Sequence, residues 1–327
     1  MGSARPPHGR CEVRLPFTTP PECLGRPYNF NMDNIPPLQS LTSASSLGSK
    51  STPSGISLEP FPRNPPDQNQ YLAFKIKADW LIGYIRVRFP ENINSKMGLH
   101  FLDILDPAQP CVSEVNLPVW TTNLATGELS YEVRIREGID FCGRVHVEGE
   151  VIHMTFTVAN RTGETQDITS QVCCDLSQAI GLNESATLDH TFTWIDGKYQ
   201  CLANTTSPHA LAKFKRLNYN WLLMLYDEQP DDPMRKIEEA CPWWIVDQKP
   251  DYPILVRDTL DRKHLVAISW GKSTVRRLMT NTNIPCLHTD PLECTNLLNG
   301  QSHTWKGRIF MLENNPRKLL HLFTSGD

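Results

Sequence analysis

The feature that most constrains this chain is a series of short segments in which apolar and polar residues alternate. Leu129 to Ile135, Ile139 to Val147 and Val151 to Ala159 are three successive examples, and turn residues separate them. Such segments recur at intervals of about 8 to 15 residues from Ala78 onward, which is typical of an all-β sandwich or barrel. The other predicted strands are Trp80 to Phe89 (ended by Pro90), Leu99 to Leu105, Asp167 to Leu176, His190 to Ile195, Lys198 to Leu202, Leu222 to Tyr226, Trp243 to Asp247, Ile254 to Arg257, His264 to Trp270 and Thr304 to Leu312.

This number of strands exceeds one immunoglobulin-type unit, and no linker divides residues 78–327. We therefore predict one large two-sheet antiparallel β-sandwich over 78–327, with two small sandwiches or a mixed fold as alternatives. No glycine-rich phosphate loop occurs and helices do not alternate with strands, which disfavours a doubly wound nucleotide fold. A C-terminal helix is predicted over Asn315 to Phe323, with Asn315 as N-cap, and a second helix near Pro208 to Leu217.

The first 77 residues have a different composition. Residues 1–70 hold 13 of the 26 prolines, and Ser40 to Ser57 is rich in Ser, Gly and Thr. Proline lacks a backbone donor, and Ser and Gly bury little apolar surface. We predict that residues 1–77 form an extension, partly disordered or wrapped on the core; one or two strands laid on the main domain are the alternative.

The charge balance excludes some partners. The chain has 32 Lys and Arg against 36 Asp and Glu, a net charge of −4. This balance disfavours nucleic acid and fits an uncharged or weakly charged ligand. No apolar run approaches the roughly 18 residues of a membrane span. Met1 to Pro20 contains no apolar signal region and the ten cysteines are scattered, so a cytoplasmic location is slightly favoured.

The hairpin 139–159 carries the first candidate site. With Glu148-Gly149 as its turn, Arg144 pairs with His153, and His146 and His153 are diagonal neighbours on a polar face, within reach of one ligand. That face is either a solvated outer face or a concave binding face. In the second case Arg144 holds an anionic or polyhydroxy ligand and a histidine acts as acid or base.

A second candidate is the proline-bounded segment Asn283 to Pro291, interpreted as a loop that exposes His288 beside Asp290. The carboxylate would orient the imidazole for general acid or base catalysis. Cys286, His288, Cys294 and His303 could also be imagined as a zinc site, but their spacing matches no standard pattern. No metal or other cofactor is therefore predicted.

Two pairs of adjacent residues complete the candidates. Cys173 and Cys174 lie in one predicted strand and face opposite ways, which fits small hydrophobic residues better than a redox pair. Trp243 and Trp244 likewise point to opposite faces if they lie on a strand. One of them then lies outside the core of its own sheet, and Trp244 is the candidate for stacking on a sugar ring.

Residues 147–176, VEGEVIHMTFTVANRTGETQDITSQVCCDL, resemble the central part of galactose-mutarotase-like β-supersandwich proteins. Three further segments, FTWIDGKYQCLANTT (192–206), IPCLHTDP (284–291) and GRIFMLENNPRKLL (307–320), look like an uncharacterised bacterial family with that presumed fold. The resemblance covers about Ala78 to Phe323. It implies a carbohydrate ligand on the concave face of one sheet. Epimerases of this superfamily use a His acid and a Glu base; here His146, His153 and His288 compete for the acid, and Glu313 and Asp290 for the base.

Three functions remain open. The first is a carbohydrate-active enzyme with epimerase or lyase chemistry, which depends on His146, His153 and His288 converging on one concave pocket. The second is a non-catalytic carbohydrate-binding or structural sandwich. The third is a metal-dependent enzyme that uses two or three of the histidines. No feature of the sequence indicates an oligomeric state.

Overall fold

The computed structural model describes residues 55–61, 72–96, 98–101, 120–134, 138–183, 188–205, 221–225, 243–246, 248–272, 274–281, 285–290 and 292–326. In 98–101, 221–223, 225 and 243–246 it describes the backbone alone. All these residues belong to one unit, Gly48–Asp327. The predicted helix near Pro208 to Leu217 and the remainder of the N-terminal extension lie outside the described residues.

The described residues form strands throughout and helices at two places. In chain order these elements are β1 (Ser57–Pro60), β2 (Ala73–Lys77), β3 (Ile82–Gly83), β4 (Ile85–Ser95), β5 (Gly98–Phe101), β6 (Thr121–Thr122), β7 (Leu129–Arg134), β8 (Ile139–Glu148), β9 (Val151–Asn160), β10 (Gln166–Asp175), β11 (Ala179–Ile180), β12 (Thr191–Ile195), β13 (Lys198–Cys201), α1 (Leu202–Thr205), β14 (Trp221–Leu225), β15 (Trp243–Val246), β16 (Ile254–Asp258), β17 (His264–Ser269), β18 (Arg277–Asn281), β19 (Cys286–Asp290), β20 (Leu292–Leu297), β21 (Ser302–Glu313) and α2 (Pro316–Thr324).

These strands form two large sheets, as predicted. Sheet 1 has the order β1-β2-β4-β10-β19-β18-β14-β15, with β5 paired to β4 and β20 paired to β10. Sheet 2 has the order β13-β12-β16-β17-β21-β9-β8-β7-β6. The described pairings are antiparallel except that of β14 with β15, which is parallel. A short pair, β3 with β11, lies outside both sheets.

Aromatic side chains join the inner faces of the two sheets. Phe89 of sheet 1 lies 5.8 Å from Phe156 and 6.1 Å from Tyr131 of sheet 2, measured between ring centroids. The ring of Trp270, next to sheet 2, stacks at 6.0 Å on Phe89. Two sheets packed through alternate inward-facing residues define a β-sandwich, so the predicted fold class is confirmed.

The predicted C-terminal helix is also confirmed. Asn315 caps α2, because its side-chain oxygen accepts a hydrogen bond from the backbone N–H of Lys318 at 3.0 Å. Leu319 and Phe323 are buried against an apolar patch on the outer face of sheet 2 that includes Phe310. The helix thus covers one part of that outer face and leaves the β8–β9 part to polar side chains.

At β4 and in the N-terminal region the strands differ from the prediction. The segment expected to end at Pro90 continues through it, and β4 runs from Ile85 to Ser95. A register irregularity opposite Pro90, between Gln171 and Cys173 of β10, accommodates the proline. In the N-terminal region, β1 and β2 pair with each other, and β2 adds to β4 at the edge of sheet 1.

Candidate functional site

The side of sheet 1 that faces away from the core is polar. Strand alternation sends Leu287 into the core and its neighbours Cys286 and His288 to the opposite side. The same rule places residues of β4, β10 and β18 beside them. We call this surface the polar face; it carries Arg86, Arg88, Glu91, Cys173, Asp175, Arg276, Arg277, Cys286, His288, Asp290 and Glu293.

His288 lies at the centre of this face, on β19. The prediction of an exposed loop at Asn283 to Pro291 is wrong, because Cys286–Asp290 is a strand paired with β10 and β18. His288 is 2% exposed and Asp290 is fully buried. A central strand covered on both sides lacks the in-out polarity pattern that identifies a half-buried strand, which explains the error.

A chain of polar groups crosses the face through His288. Asp290 Oδ2 lies 3.0 Å from His288 Nδ1, so the carboxylate accepts from the ring N–H. Donor atoms of His288, Cys173 and Cys286 lie within 4.8 Å of one another. The backbone N–H of Val172 donates to the other oxygen of Asp290 at 3.4 Å. Asp290 therefore fixes the orientation of the imidazole.

Burial and neighbouring groups shift the pKa values of His288, Cys173 and Asp290. Burial opposes a positive charge on His288, but Cys173 and Asp290 outweigh burial, and the pKa of His288 is well above its ordinary value. The hydrogen bond with Cys286, together with burial, raises the pKa of Cys173 well above its usual range. Burial likewise raises the pKa of Asp290.

Arginine–carboxylate pairs lie on the polar face around these groups. Arg86 Nε donates to Asp175 Oδ2 at 3.0 Å, and the backbone N–H of Ser177 donates to Asp175 Oδ1 at 2.8 Å. Burial alone would raise the pKa of Asp175, but Arg86 and Ser177 hold it below its usual range. Arg88 donates to Glu91 at 2.7 Å, and these two side chains are 19% and 16% exposed. Arg88 and Glu91 are therefore an accessible rim beside the buried pair.

The β8–β9 hairpin places the other predicted histidines on sheet 2. The turn is Gly149-Glu150, and Glu148 pairs with Val151. His146 is therefore directly opposite His153, with ring centroids 5.0 Å apart, and not diagonal to it. Gly149 adopts φ +58, a conformation readily available to glycine, which moves the turn one residue along.

This change of register preserves the two faces of the hairpin. Val145 and Met154 are buried in the core, and Arg144, His146 and His153 point outward, as predicted. The predicted pairing of Arg144 with His153 is wrong, because Arg144 is exposed and opposite Thr155.

The three candidate histidines do not converge. His288 faces away from the core on sheet 1, whereas His146 and His153 face away from it on sheet 2. Packed sheets lie about 10 Å apart and the side chains point in opposite directions, so one small sugar cannot contact both groups. A shared site of Arg144, His146, His153 and His288 is therefore corrected to two separate sites.

The remaining candidates are dispersed. Glu313 is exposed at the end of β21, opposite His264, beside a cavity of about 600 Å³ lined by Arg262 and Lys263. Trp244 lies on β15, opposite Leu222 of β14, and its side chain is outside the described part of the structure. Glu313 lies on sheet 2 and therefore away from His288 on sheet 1.

The four residues considered as a zinc set do not all lie together. Cys286 and His288 do lie together, but Cys294 is on β20 and His303 is on β21 of sheet 2. Among the described residues, two sets of donor atoms lie within 4.8 Å of one another: Cys173, Cys286 and His288, and His146, Glu148 and His153. The raised pKa of Cys173 favours a thiol over a thiolate ligand in the first set.

The prediction did not single out Arg86, Arg88 or Asp175. Their signal lies in the alternation of both arginines with Ile85, Val87 and Phe89, which puts two cations on one side of a predicted strand. Asp175 faces Arg86 from β10. Only the pairing of strands distant in the chain brings these charges beside His288.

Comparisons with known proteins give the following. The sequence matches no protein-family model and no curated protein. Similar solved structures include a galactose mutarotase related enzyme from Lactobacillus acidophilus (8% identity, TM-score 0.38, covering 74% of this chain and 95% of the other). A GalM/aldose epimerase homologue from C. elegans shows 9% identity and a TM-score of 0.36, covering 69% and 79%. A polysaccharide lyase shows 9% identity and a TM-score of 0.38, covering 83% and 35%.

These names agree with the family that the sequence resembles. At such scores the likeness carries no argument, so the fold assignment rests on the strands and sheets described above. Within the described residues no helix is long and apolar enough to cross a membrane.

Proposed function

We propose that this protein is carbohydrate-active and binds a sugar on the polar face of sheet 1, with His288 as the proton-transfer group. The observation that carries the proposal is the His288–Asp290 pair, whose atoms Nδ1 and Oδ2 are 3.0 Å apart at the centre of that face. A buried carboxylate that orients an imidazole is an arrangement suited to general acid–base catalysis.

The charge balance of the polar face supports an uncharged, hydroxyl-rich ligand. Four arginines (Arg86, Arg88, Arg276 and Arg277) accompany four carboxylates (Glu91, Asp175, Asp290 and Glu293). Guanidinium groups supply donors and carboxylates supply acceptors, and a sugar hydroxyl uses both. A phosphate or a carboxylate ligand would be repelled by the acidic half of this set.

The chemistry that fits best is interconversion of sugar anomers. The His288 imidazolium donates its proton to the ring oxygen, and the Glu91 carboxylate accepts the proton of the anomeric hydroxyl. The ring C–O bond breaks as the carbonyl forms, and closure on the other face reverses both transfers. Glu91 is our candidate base because it lies at the accessible rim and acts electrostatically on both Cys173 and Asp290.

Polarimetry tests this proposal directly. The protein should accelerate the mutarotation of freshly dissolved α-glucose or α-galactose, and His288→Gln should lower kcat by at least about 100-fold. Glu91→Gln, at the partly exposed rim, should also lower kcat; because this change breaks the ion pair with Arg88, the rate is measured at a temperature at which thermal unfolding shows the variant to be folded. The matched control, His153→Ala on sheet 2, should keep the full rate.

Two results would overturn the catalytic proposal. One is no acceleration for any aldose in a panel of hexoses and pentoses. The other is a rate that survives His288→Gln but is lost in His153→Ala.

A non-catalytic sugar-binding role is the second candidate. His288 is 2% exposed and hydrogen-bonded within the sheet, surroundings that also suit a structural histidine. Arg88 and Glu91 would then bind the sugar without proton transfer. Calorimetry separates the two roles, because here Arg88→Ala abolishes binding whereas His288→Gln lowers stability and leaves the affinity for the sugar unchanged.

A further inference from the structure

The outer end of the β8–β9 hairpin holds three side chains that the proposed function does not use. His146 and His153 are directly opposite, and their rings are nearly parallel, with 10° between the planes. Glu148 lies two residues beyond His146 on the same face, and its Oε2 is 3.7 Å from His153 Nε2. One donor atom from each of the three lies within 4.8 Å of the others.

We propose that His146, Glu148 and His153 bind a divalent transition-metal ion such as Zn²⁺. Imidazole nitrogens and a carboxylate oxygen are ligands of Zn²⁺ at about 2.0 to 2.2 Å, which puts the donors of a tetrahedral site roughly 3.3 Å apart. The three donor atoms therefore need to approach one another by about 1.5 Å at most. The side chains of His153 and Glu148 are 34% and 80% exposed, so rotamer changes that close this distance meet little packing resistance.

The strand pairing supports the site. His146 and His153 are direct partners in the register of β8 and β9. The paired strands hold the two histidines opposite each other before metal arrives, which reduces the ordering cost of binding.

Two arginines face the site. Arg308 of β21 is opposite His153 on the other side, and Arg144 lies two residues from His146. Arg308 is held by hydrogen bonds to the backbone oxygens of Leu322 and Phe323 at 3.0 and 2.9 Å, so it cannot turn to pair with Glu148 without losing them. Arg144 is exposed, and salt screens its repulsion of a bound cation.

Titration calorimetry of the metal-free full-length protein with Zn²⁺ tests this site. We expect His146→Ala and His153→Ala each to weaken binding by at least about 100-fold, since even outer-shell partners of a metal are worth 10- to 100-fold. Glu148→Gln should weaken it by about 10-fold or more. The control is His321→Ala, which removes an exposed histidine of α2 that is not one of the three donors and should leave binding unchanged.

Spectroscopy with Co²⁺ separates this site from the thiol set on sheet 1. Co²⁺ bound by nitrogen and oxygen lacks the intense near-ultraviolet charge-transfer band that thiolate ligands produce. The proposal predicts d–d bands without that band, and their loss in His146→Ala at unchanged far-UV circular dichroism. Absence of binding, a thiolate-dominated spectrum, or affinity unchanged in both histidine variants would each overturn it.

Discussion

Replacing Asp175 by Asn tests whether the charged network of the polar face is assembled as described. Asp175 is fully buried and pairs with Arg86, whose side chain is 16% exposed. Removing one partner of a buried ion pair costs about 3 to 5 kcal/mol, because the other charge remains without compensation. Water reaches part of Arg86 and weakens the effect, so we expect the free energy of unfolding to fall by about 2 to 4 kcal/mol, somewhat less than for a fully buried pair.

The effect should also depend on pH in a defined direction. Arg86 and Ser177 hold the pKa of Asp175 below its unfolded value of about 3.9. A depressed carboxyl pKa contributes stability that is present above the unfolded pKa and is lost as pH falls through the folded pKa. The difference between wild type and Asp175→Asn should therefore be largest near neutral pH and shrink below about pH 4.

Urea denaturation followed by tryptophan fluorescence measures both effects, since Trp270 and Trp305 are buried in the core. The matched control is Asp140→Asn on sheet 2, which pairs with Arg134 at 2.7 Å and with Arg161 at 2.5 Å, where the two arginine side chains are 62% and 61% exposed. Such surface pairs should contribute less than about 1 kcal/mol each. If Asp175→Asn costs no more than Asp140→Asn, or if its cost grows in acid, the reasoning about the polar face is refuted.

Two further predictions concern the sandwich itself. Gly143→Ala should destabilise the protein by at least about 1 to 3 kcal/mol, because an added Cβ would lie 2.7 Å from Phe89 Cε1 and closer still to the ring of Tyr131. Thermal unfolding measures this effect, and an unchanged melting temperature would contradict the close packing described at Gly143. Phe323→Ala should lower the free energy of unfolding by about 3 to 5 kcal/mol, because it leaves a cavity where α2 packs on sheet 2. Faster hydrogen exchange confined to α2 should accompany it, and unchanged exchange there would contradict the docking.

The faces of the strands could be predicted from the sequence better than their partners. In β8 and β9, alternation assigns Val145 and Met154 to the core and His146 and His153 outward, and the structure agrees. The register was wrong because Glu148-Gly149 and Gly149-Glu150 are both plausible turns, and either choice keeps every side chain on the same face.

The candidate site was harder to predict, for a different physical reason. The five residues of β19 are all buried, so the segment around His288 shows no alternation between an inside and an outside. Its proximity to Cys173 depends on the pairing of β19 with β10, strands more than 100 residues apart in the chain. The proximity of His288 to Asp290 was predicted from their closeness in sequence, although on an exposed loop; in the structure both residues lie on the same side of one strand.

The most direct test of the central claim is to observe the histidine side chains while a sugar binds. Imidazole resonances of uniformly ¹⁵N-labelled protein, assigned with His288→Gln and His146→Ala, would be followed during titration with α-glucose or α-galactose. We predict that the signals of His288 shift in proportion to bound sugar, while those of His146 and His153 on sheet 2 do not move. Shifts at His146 and His153 with none at His288 would contradict the assignment of the sugar site to the polar face of sheet 1.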